Sequence, residues 1–176
     1  MFRIFLQETY AIEDYFYNNP MTSADSTHWT IPSNANATYS SNGMKLQGSS
    51  WADCYLEVPI TKPCSIEYDM MDYAGTIPYY NYLYSSDKSQ RLIIMYRQET
   101  GYTVLDTNGS TVNRIDYTIP KESHVKLQVN NDSIKLYVDN VLQISKSYSM
   151  PSSFVFGVTT AGSRSTTYKN IKVKAL

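Results

Sequence analysis

The stretch SHVKLQVNNDSIKLYVDNVLQISKS, Ser123 to Ser147, decides the fold. Val125, Leu127 and Val129 alternate with Lys126 and Gln128, and after Asn130-Asn131-Asp132-Ser133 the residues Ile134, Leu136 and Val138 alternate with Lys135 and Tyr137. Folding the chain back at that turn sets Val129 against Ile134, Leu127 against Leu136 and Val125 against Val138. All three apolar pairs then share one face, as a half-buried antiparallel hairpin requires. The next turn is read from the same face. A two-residue Asp139-Asn140 loop would set Leu142 against Tyr137 and Ile144 against Lys135, on the wrong side. A three-residue loop, Asp139-Asn140-Val141, pairs Val138 with Leu142 and Leu136 with Ile144. One residue of slip inverts every side chain, so the three-residue loop is predicted, with Asn140 in the left-handed region.

Period-two alternation continues outward in both directions. Asn108-Gly109 joins Tyr102–Thr107 to Ser110–Ile119, and Asn42-Gly43 precedes Met44–Gly48. Further strands are predicted at Ala11–Tyr17, Ala52–Val58, Ser65–Tyr73, Tyr79–Ser85, Leu92–Gln98, Ser153–Thr159 and Thr167–Lys174. No segment has a sustained 3.6-residue apolar period with caps. The prediction is all-β, a two-sheet antiparallel β-sandwich. Residues 1–10 read as an N-terminal arm and residues 11–176 as a single sandwich domain.

Composition narrows the function. The 176 residues carry a formal net charge of −1, and charged residues are 18% against 42% hydrophobic. That balance excludes a disordered chain, and the charge argues against nucleic-acid binding. No run approaches the ~20 apolar residues that span a bilayer, so no membrane insertion is expected. Met1-Phe2-Arg3-Ile4-Phe5-Leu6 is apolar, but Gln7 and Glu8 interrupt it before it reaches the length of a leader. Tyrosine dominates the aromatics, with 17 against 5 phenylalanines and 2 tryptophans. Such side chains suit surfaces that are half apolar and half wet.

The order of several motifs carries a resemblance. Glu13-Asp14-Tyr15-Phe16-Tyr17 opens the chain, followed by His28-Trp29-Thr30-Ile31, Met44-Lys45-Leu46-Gln47-Gly48 and Trp51. Late in the chain come Ile134-Lys135-Leu136-Tyr137-Val138-Asp139-Asn140 and Tyr168-Lys169-Asn170-Ile171-Lys172-Val173. This order resembles the concanavalin A-like/laminin G-like jelly-roll domains over residues 11–176. The resemblance implies a curved sandwich whose final strand returns beside the first. It implies lectin-like carbohydrate binding, as in accessory modules of extracellular enzymes or in phage tail and adhesion proteins. It transfers no binding residue, because the group places its sites variously on the concave face and on edge loops.

Candidate site residues come from the sequence itself. Tyr80, Tyr82 and Tyr84 project to one side of a predicted strand at ~6.7 Å spacing. On a concave sheet such a row suits an extended glycan, since sugar C–H patches lie on aromatic faces while hydroxyls meet polar groups. Packing is the competing reading, and neither face is cleanly apolar, because the other carries Asn81 between Tyr79 and Leu83. Arg91 and Arg97 flank Ile93 and Met95 on the next strand and could meet acidic sugars through their planar forks, or be solvated edge residues. Trp51 is either a loop platform or a plug at one end of the sandwich.

Glu67-Tyr68-Asp69-Met70-Met71-Asp72 is similar to the E-x-D-x-x-E strand of glycosidases on this fold. Glu67 and Asp69 would share a face, about 7 Å apart between Cα atoms, and a carboxylate pair at short separation can do retaining hydrolysis. The third carboxylate is the shorter Asp72, and the tryptophan-rich floor expected around such a motif is missing. Cys54 and Cys64 flank Pro59-Ile60-Thr61-Lys62-Pro63 and are either a disulfide, if their strands are neighbours, or two buried thiols. His28 and His124 lack zinc spacing, and no G-x-S-x-G is present. Oxygen ligands leave no spacing signature outside EF-hands, so calcium near Asp25 or Asp106 stays open and no other cofactor is expected. Lys169, Lys172 and Lys174 read as the solvated side of an edge strand. Asn36-Ala37-Thr38, Asn108-Gly109-Ser110 and Asn131-Asp132-Ser133 match the glycosylation triplet, as chance also provides in a Ser/Asn-rich chain.

The resulting expectation is a non-catalytic carbohydrate- or receptor-binding module. Its partner would be a polysaccharide or cell-surface glycan, and its place a virion, phage tail or microbial cell surface, with homo-oligomers or a larger assembly allowed. A viral structural protein without glycan binding and a glycoside hydrolase using Glu67 and Asp69 are the alternatives.

Overall fold

The computed structural model describes residues 14–48, 51–74, 79–85, 90–97, 102–107, 110–117, 119–160 and 165–176. The predicted arm at 1–10 lies outside these residues, as does the Asn108-Gly109 turn. Among the described residues the chain forms fifteen strands: β1 (Tyr15–Asn19), β2 (Trp29–Thr30), β3 (Ala35–Ser40), β4 (Gly43–Gly48), β5 (Ala52–Thr61), β6 (Cys64–Ala74), β7 (Tyr79–Ser85), β8 (Arg91–Arg97), β9 (Tyr102–Thr107), β10 (Ser110–Ile115), β11 (Ser123–Val129), β12 (Ser133–Val138), β13 (Val141–Ser147), β14 (Ser153–Thr160) and β15 (Ser165–Ala175). They make two antiparallel sheets. The eight-stranded sheet runs β13-β12-β11-β6-β15-β4-β3, with β1 also on β15, and the seven-stranded sheet runs β10-β9-β8-β7-β14-β5-β2.

Each strand's inward residues are the apolar half of its alternation. From the eight-stranded sheet, Met44, Leu46, Ile66, Tyr68, Leu127 and Tyr168 are buried. Cys54, Leu56, Leu83, Ile94, Phe154 and Phe156 meet them from the seven-stranded sheet. The Tyr68 ring lies 5.5 Å from Phe156 across the interface between the sheets and 5.9 Å from Tyr168 on the neighbouring strand of its own sheet. The final strand does return beside the first, with Tyr17 opposite Val173 and Asn19 opposite Ile171.

The deciding hairpin has the predicted register, with Val125 on Val138, Leu127 on Leu136 and Val129 on Ile134. The following turn corrects the prediction. Val138 pairs with Val141 and Tyr137 with Leu142, so the loop has two residues, Asp139 and Asn140, both left-handed at φ 49° and 66°. A turn with two positive φ angles matches the right-handed twist of paired strands. The register then shifts, leaving Gln143 as an extra residue, and Leu136 faces Ile144 as predicted. The bulge restores the apolar face that the three-residue loop was invoked to preserve. Leu142, on the outward side before the bulge, remains 48% exposed.

Cys54 and Cys64 are both buried and free. Their strands are not neighbours: β5 belongs to the seven-stranded sheet and β6 to the eight-stranded one. Burial pushes each thiol up to about 12, with the Asp53 charge adding to the effect at Cys54.

Candidate functional site

On β7 the alternation resolves as Asn81 and Leu83 inward, Tyr82 and Tyr84 outward. Asn81 is fully buried; its Oδ1 accepts a 2.7 Å hydrogen bond from the Tyr68 hydroxyl, while its Nδ2 has no partner among the described residues. Tyr82 and Tyr84 join Ile93 and Val155 in an apolar cluster of their own, with Tyr55 and Met95 packed against it. This cluster lies on the outer face of the seven-stranded sheet. Its rings are close-packed: Tyr82 and Tyr84 have centroids 5.1 Å apart, and Tyr55 meets Tyr84 edge-on at 5.3 Å. The two β7 rings are therefore only 6% and 5% exposed, while Tyr55 and Met95 are half-buried. Tyr82 and Tyr84 form a floor, and the accessible aromatic edge belongs to Tyr55.

Register explains why these side chains meet. Gly157 on β14 stands between Tyr55 and Tyr82. A Cβ there would approach Tyr55 Cδ1 at 3.1 Å, so the missing side chain makes room for the Tyr55 ring. In the next row Thr159 stands between Asp53 and Tyr80. The Asp53 carboxylate collects the polar ends: the Tyr55 and Tyr84 hydroxyls each donate to Oδ2 at 3.3 Å, and Thr159 donates to Oδ1 at 2.6 Å. Burial raises the Tyr84 phenol above its ordinary value, with the Asp53 charge reinforcing it, and burial raises Tyr55 too. Both therefore stay neutral donors at physiological pH. The exposed Arg91, opposite Tyr84 in register, also hydrogen-bonds the Tyr84 hydroxyl.

The predicted residues divide accordingly. Tyr82, Tyr84 and Arg91 come together. Trp51 is 52% exposed just ahead of β5, two residues from Asp53, and its carbonyl accepts from Asn34 Nδ2 at 2.8 Å. The side chains of Tyr80 and Arg97 lie outside the described residues, although their backbones pair with Met95 and Tyr102 respectively. Asp53, Tyr55 and Thr159 were missed by sequence reasoning. The signal for the first two was present, since Trp51, Asp53 and Tyr55 alternate with Ala52, Cys54 and Leu56. Their meeting with β7 through β14 was not, because 106 residues separate Thr159 from Asp53.

Glu67 and Asp69 do share a face, on the outer side of the eight-stranded sheet. There Glu67 Oε1 is 3.2 Å from Lys126 Nζ and accepts from Ser65 Oγ at 3.3 Å. Asp69 Oδ1 lies 2.8 Å from His124 Nδ1, and Oδ2 accepts from Asn170 Nδ2 at 2.6 Å. The Asp72 side chain lies outside the described residues. Of the two calcium candidates, the Asp106 side chain lies outside the described residues, and Asp25 accepts from Tyr17 and Asn19 at 2.9 and 3.2 Å and contacts His28 at 2.9 Å. Burial opposes its ionisation, but the His28 and Tyr17 hydrogen bonds hold its carboxyl below the usual range. Among the described residues no three His, Cys, Asp or Glu side chains gather in a metal-binding group.

No protein-family model matches this chain, and no curated protein matches it in sequence. Solved structures do match. Carbohydrate-binding module CBM66 from Bacillus subtilis superposes with a TM-score of 0.69 at 17% identity, over 84% of this chain and 95% of that one. A Bacillus subtilis protein of unknown function with a galectin-like fold gives a TM-score of 0.79 at 9% identity, covering 93% and 97%. A Bacillus licheniformis β-glucanase gives 0.65 at 13% identity, covering 91% and 97%. The fold is the concanavalin A-like jelly roll, shared by carbohydrate-binding modules and by glycoside hydrolases.

Proposed function

We propose that the chain is a non-catalytic carbohydrate- or receptor-binding module of a virion tail or microbial surface assembly. Its glycan would lie on the outer face of the seven-stranded sheet. The observation that carries this reading is the joining of Tyr55, Tyr84 and Thr159 to one carboxylate, Asp53, on an outward aromatic floor. A sugar ring needs that combination: an apolar surface for its C–H face and fixed polar groups for its hydroxyls. Close packing removes rotamer freedom from the floor, so less ordering entropy opposes binding. Arg91 supplies a planar donor at one side. The non-catalytic part is supported by Glu67 and Asp69. Glu67 is paired with Lys126, both Asp69 oxygens are engaged by His124 and Asn170, and the tryptophan-rich floor that the glycosidase motif calls for is missing from the sequence.

The competing reading is a structural domain whose outer rings only pack, and the 5–6% exposure of Tyr82 and Tyr84 favours it. A glycan array probed with wild type and Tyr55→Ala separates the two. Hits on bacterial or host polysaccharides that vanish in the variant are expected; a blank array would leave the structural reading. Release of reducing sugar by wild type but not by Glu67→Gln would restore the hydrolase. Light scattering on the full chain, with and without residues 1–10, tests the assembly: a species larger than a monomer that shrinks on truncation is expected, and a monomer in both would remove it.

A further inference from the structure

A second concavity lies at the β2 edge of the seven-stranded sheet, beside β5. Asp25, Ser26, Trp29, Ile31, Ala37 and Tyr39 line a cleft of about 330 Å³. Trp29 belongs to β2, the edge strand of the seven-stranded sheet, and Ala37 and Tyr39 to β3, the edge strand of the eight-stranded one. The cleft therefore opens between the rims of the two sheets, away from the tyrosine floor on β7. Its volume is at the small end of ligand sites, suited to about one sugar ring and too small for a chain segment.

The walls are built in place. Trp29 Nε1 donates to the Tyr17 hydroxyl at 3.0 Å, and that hydroxyl in turn donates to Asp25 Oδ2. The indole N–H is thus spent inside the protein, and the ring, 5% exposed, backs an apolar wall completed by the half-buried Ile31 and Ala37. Two hydroxyls line the same space. Neither the half-buried Tyr39 phenol nor the exposed Ser26 hydroxyl makes a hydrogen bond to another described residue. Burial raises the Tyr39 phenol above its usual value, so it remains a donor. The lone charge among the lining side chains, Asp25, repels an anion. It already takes hydrogen bonds from Tyr17, Asn19 and His28, so it is a poor unpaired counter-ion for an ammonium group. What fits is a neutral ligand with an apolar face and a hydroxylated edge.

We infer that this cleft is a separate binding site for one neutral sugar residue, its C–H face against Trp29 and Ile31 and its hydroxyls on Tyr39, Ser26 and the free acceptor capacity of Asp25. The inference does not depend on the β7 face.

The test uses the full chain carrying Trp51→Phe, so that Trp29 is its remaining tryptophan. Its emission is titrated with methyl glucopyranoside, galactopyranoside, mannopyranoside and fructofuranoside, and with choline as the cationic control. A saturable shift with at least one glycoside is expected. Tyr39→Phe, which removes one hydroxyl and keeps the ring, weakens it about three- to tenfold; Ala37→Leu, which fills the cleft, abolishes it; Tyr55→Ala leaves it unchanged. No saturable shift with any glycoside overturns the inference. So does a glycoside shift lost with Tyr55→Ala and kept in Ala37→Leu, or a shift produced by choline alone. Loss of array binding in Tyr55→Ala with this titration intact, or the converse, separates the fate of the two sites.

Discussion

On β6 and β11 the outward residues are Glu67, Asp69, His124 and Lys126, whereas on β7 and β14 they are Tyr82, Tyr84, Val155 and Gly157. Both sheets bury the apolar half of their alternation in the same core, so the difference is not imposed by folding. The eight-stranded face pairs opposite charges across neighbouring strands and stays wet. The seven-stranded face spends its outward positions on rings that pack on one another around one carboxylate. The seven-stranded face thus carries a packed apolar cluster of its own, separate from the core between the sheets.

If that contrast is right, the largest difference between the faces lies in stability. Tyr84→Ala is expected to lower unfolding free energy by about 3 kcal/mol, as a nearly buried aromatic should. Tyr137→Ala on the eight-stranded face, where the phenol donates only to Gln128, should cost about 1 kcal/mol. Equal losses in urea melts would erase the distinction. Binding sharpens it next: Asp53→Ala should weaken glycan affinity about tenfold or more in calorimetry, through loss of the acceptor that fixes two phenols. A smaller effect is expected with alkali. The folded pKa of Tyr84 is raised, so its contribution to stability is full below the unfolded value near 10 and is lost as pH rises beyond it. Tyr84→Phe should therefore flatten the fall in stability above pH 10; an unchanged slope would mean the phenol is not desolvated. The smallest effect belongs to the charged face. Lys126→Ala, breaking a partly exposed pair with Glu67, should change stability by about 1 kcal/mol or less and glycan binding not at all.

The sandwich was legible because polar and apolar residues alternate cleanly where one face meets water. The β11–β12 hairpin is the clearest case, since lysine and glutamine alternate with valine and leucine and leave one register. At Asp139-Asn140 the same argument failed by one residue: a bulge at Gln143 also keeps Leu136 on Ile144, and alternation cannot distinguish a longer loop from a later bulge. Two adjacent residues that tolerate positive φ were the overlooked signal. The strands β2 and β3 went unread because an edge strand needs little apolar character, and Ala35–Ser40 is mostly small and polar. In the candidate site, the tyrosine row could be found but not oriented, because Asn81 made both faces of β7 equivocal. Asp53 could not be found at all. Its partners Tyr84 and Thr159 reach it only through the β5–β14–β7 pairing, and long-range strand order is not written in local periodicity.

The most direct test of the β7 face is amide chemical-shift mapping of the full chain titrated with the polysaccharide that gives the strongest array signal. The account predicts saturable shifts concentrated at Asp53, Tyr55, Tyr82, Tyr84, Arg91 and Thr159, with Glu67, His124 and Lys126 unmoved. Shifts centred on Glu67, Asp69 and His124 instead would contradict it and move the ligand to the charged sheet.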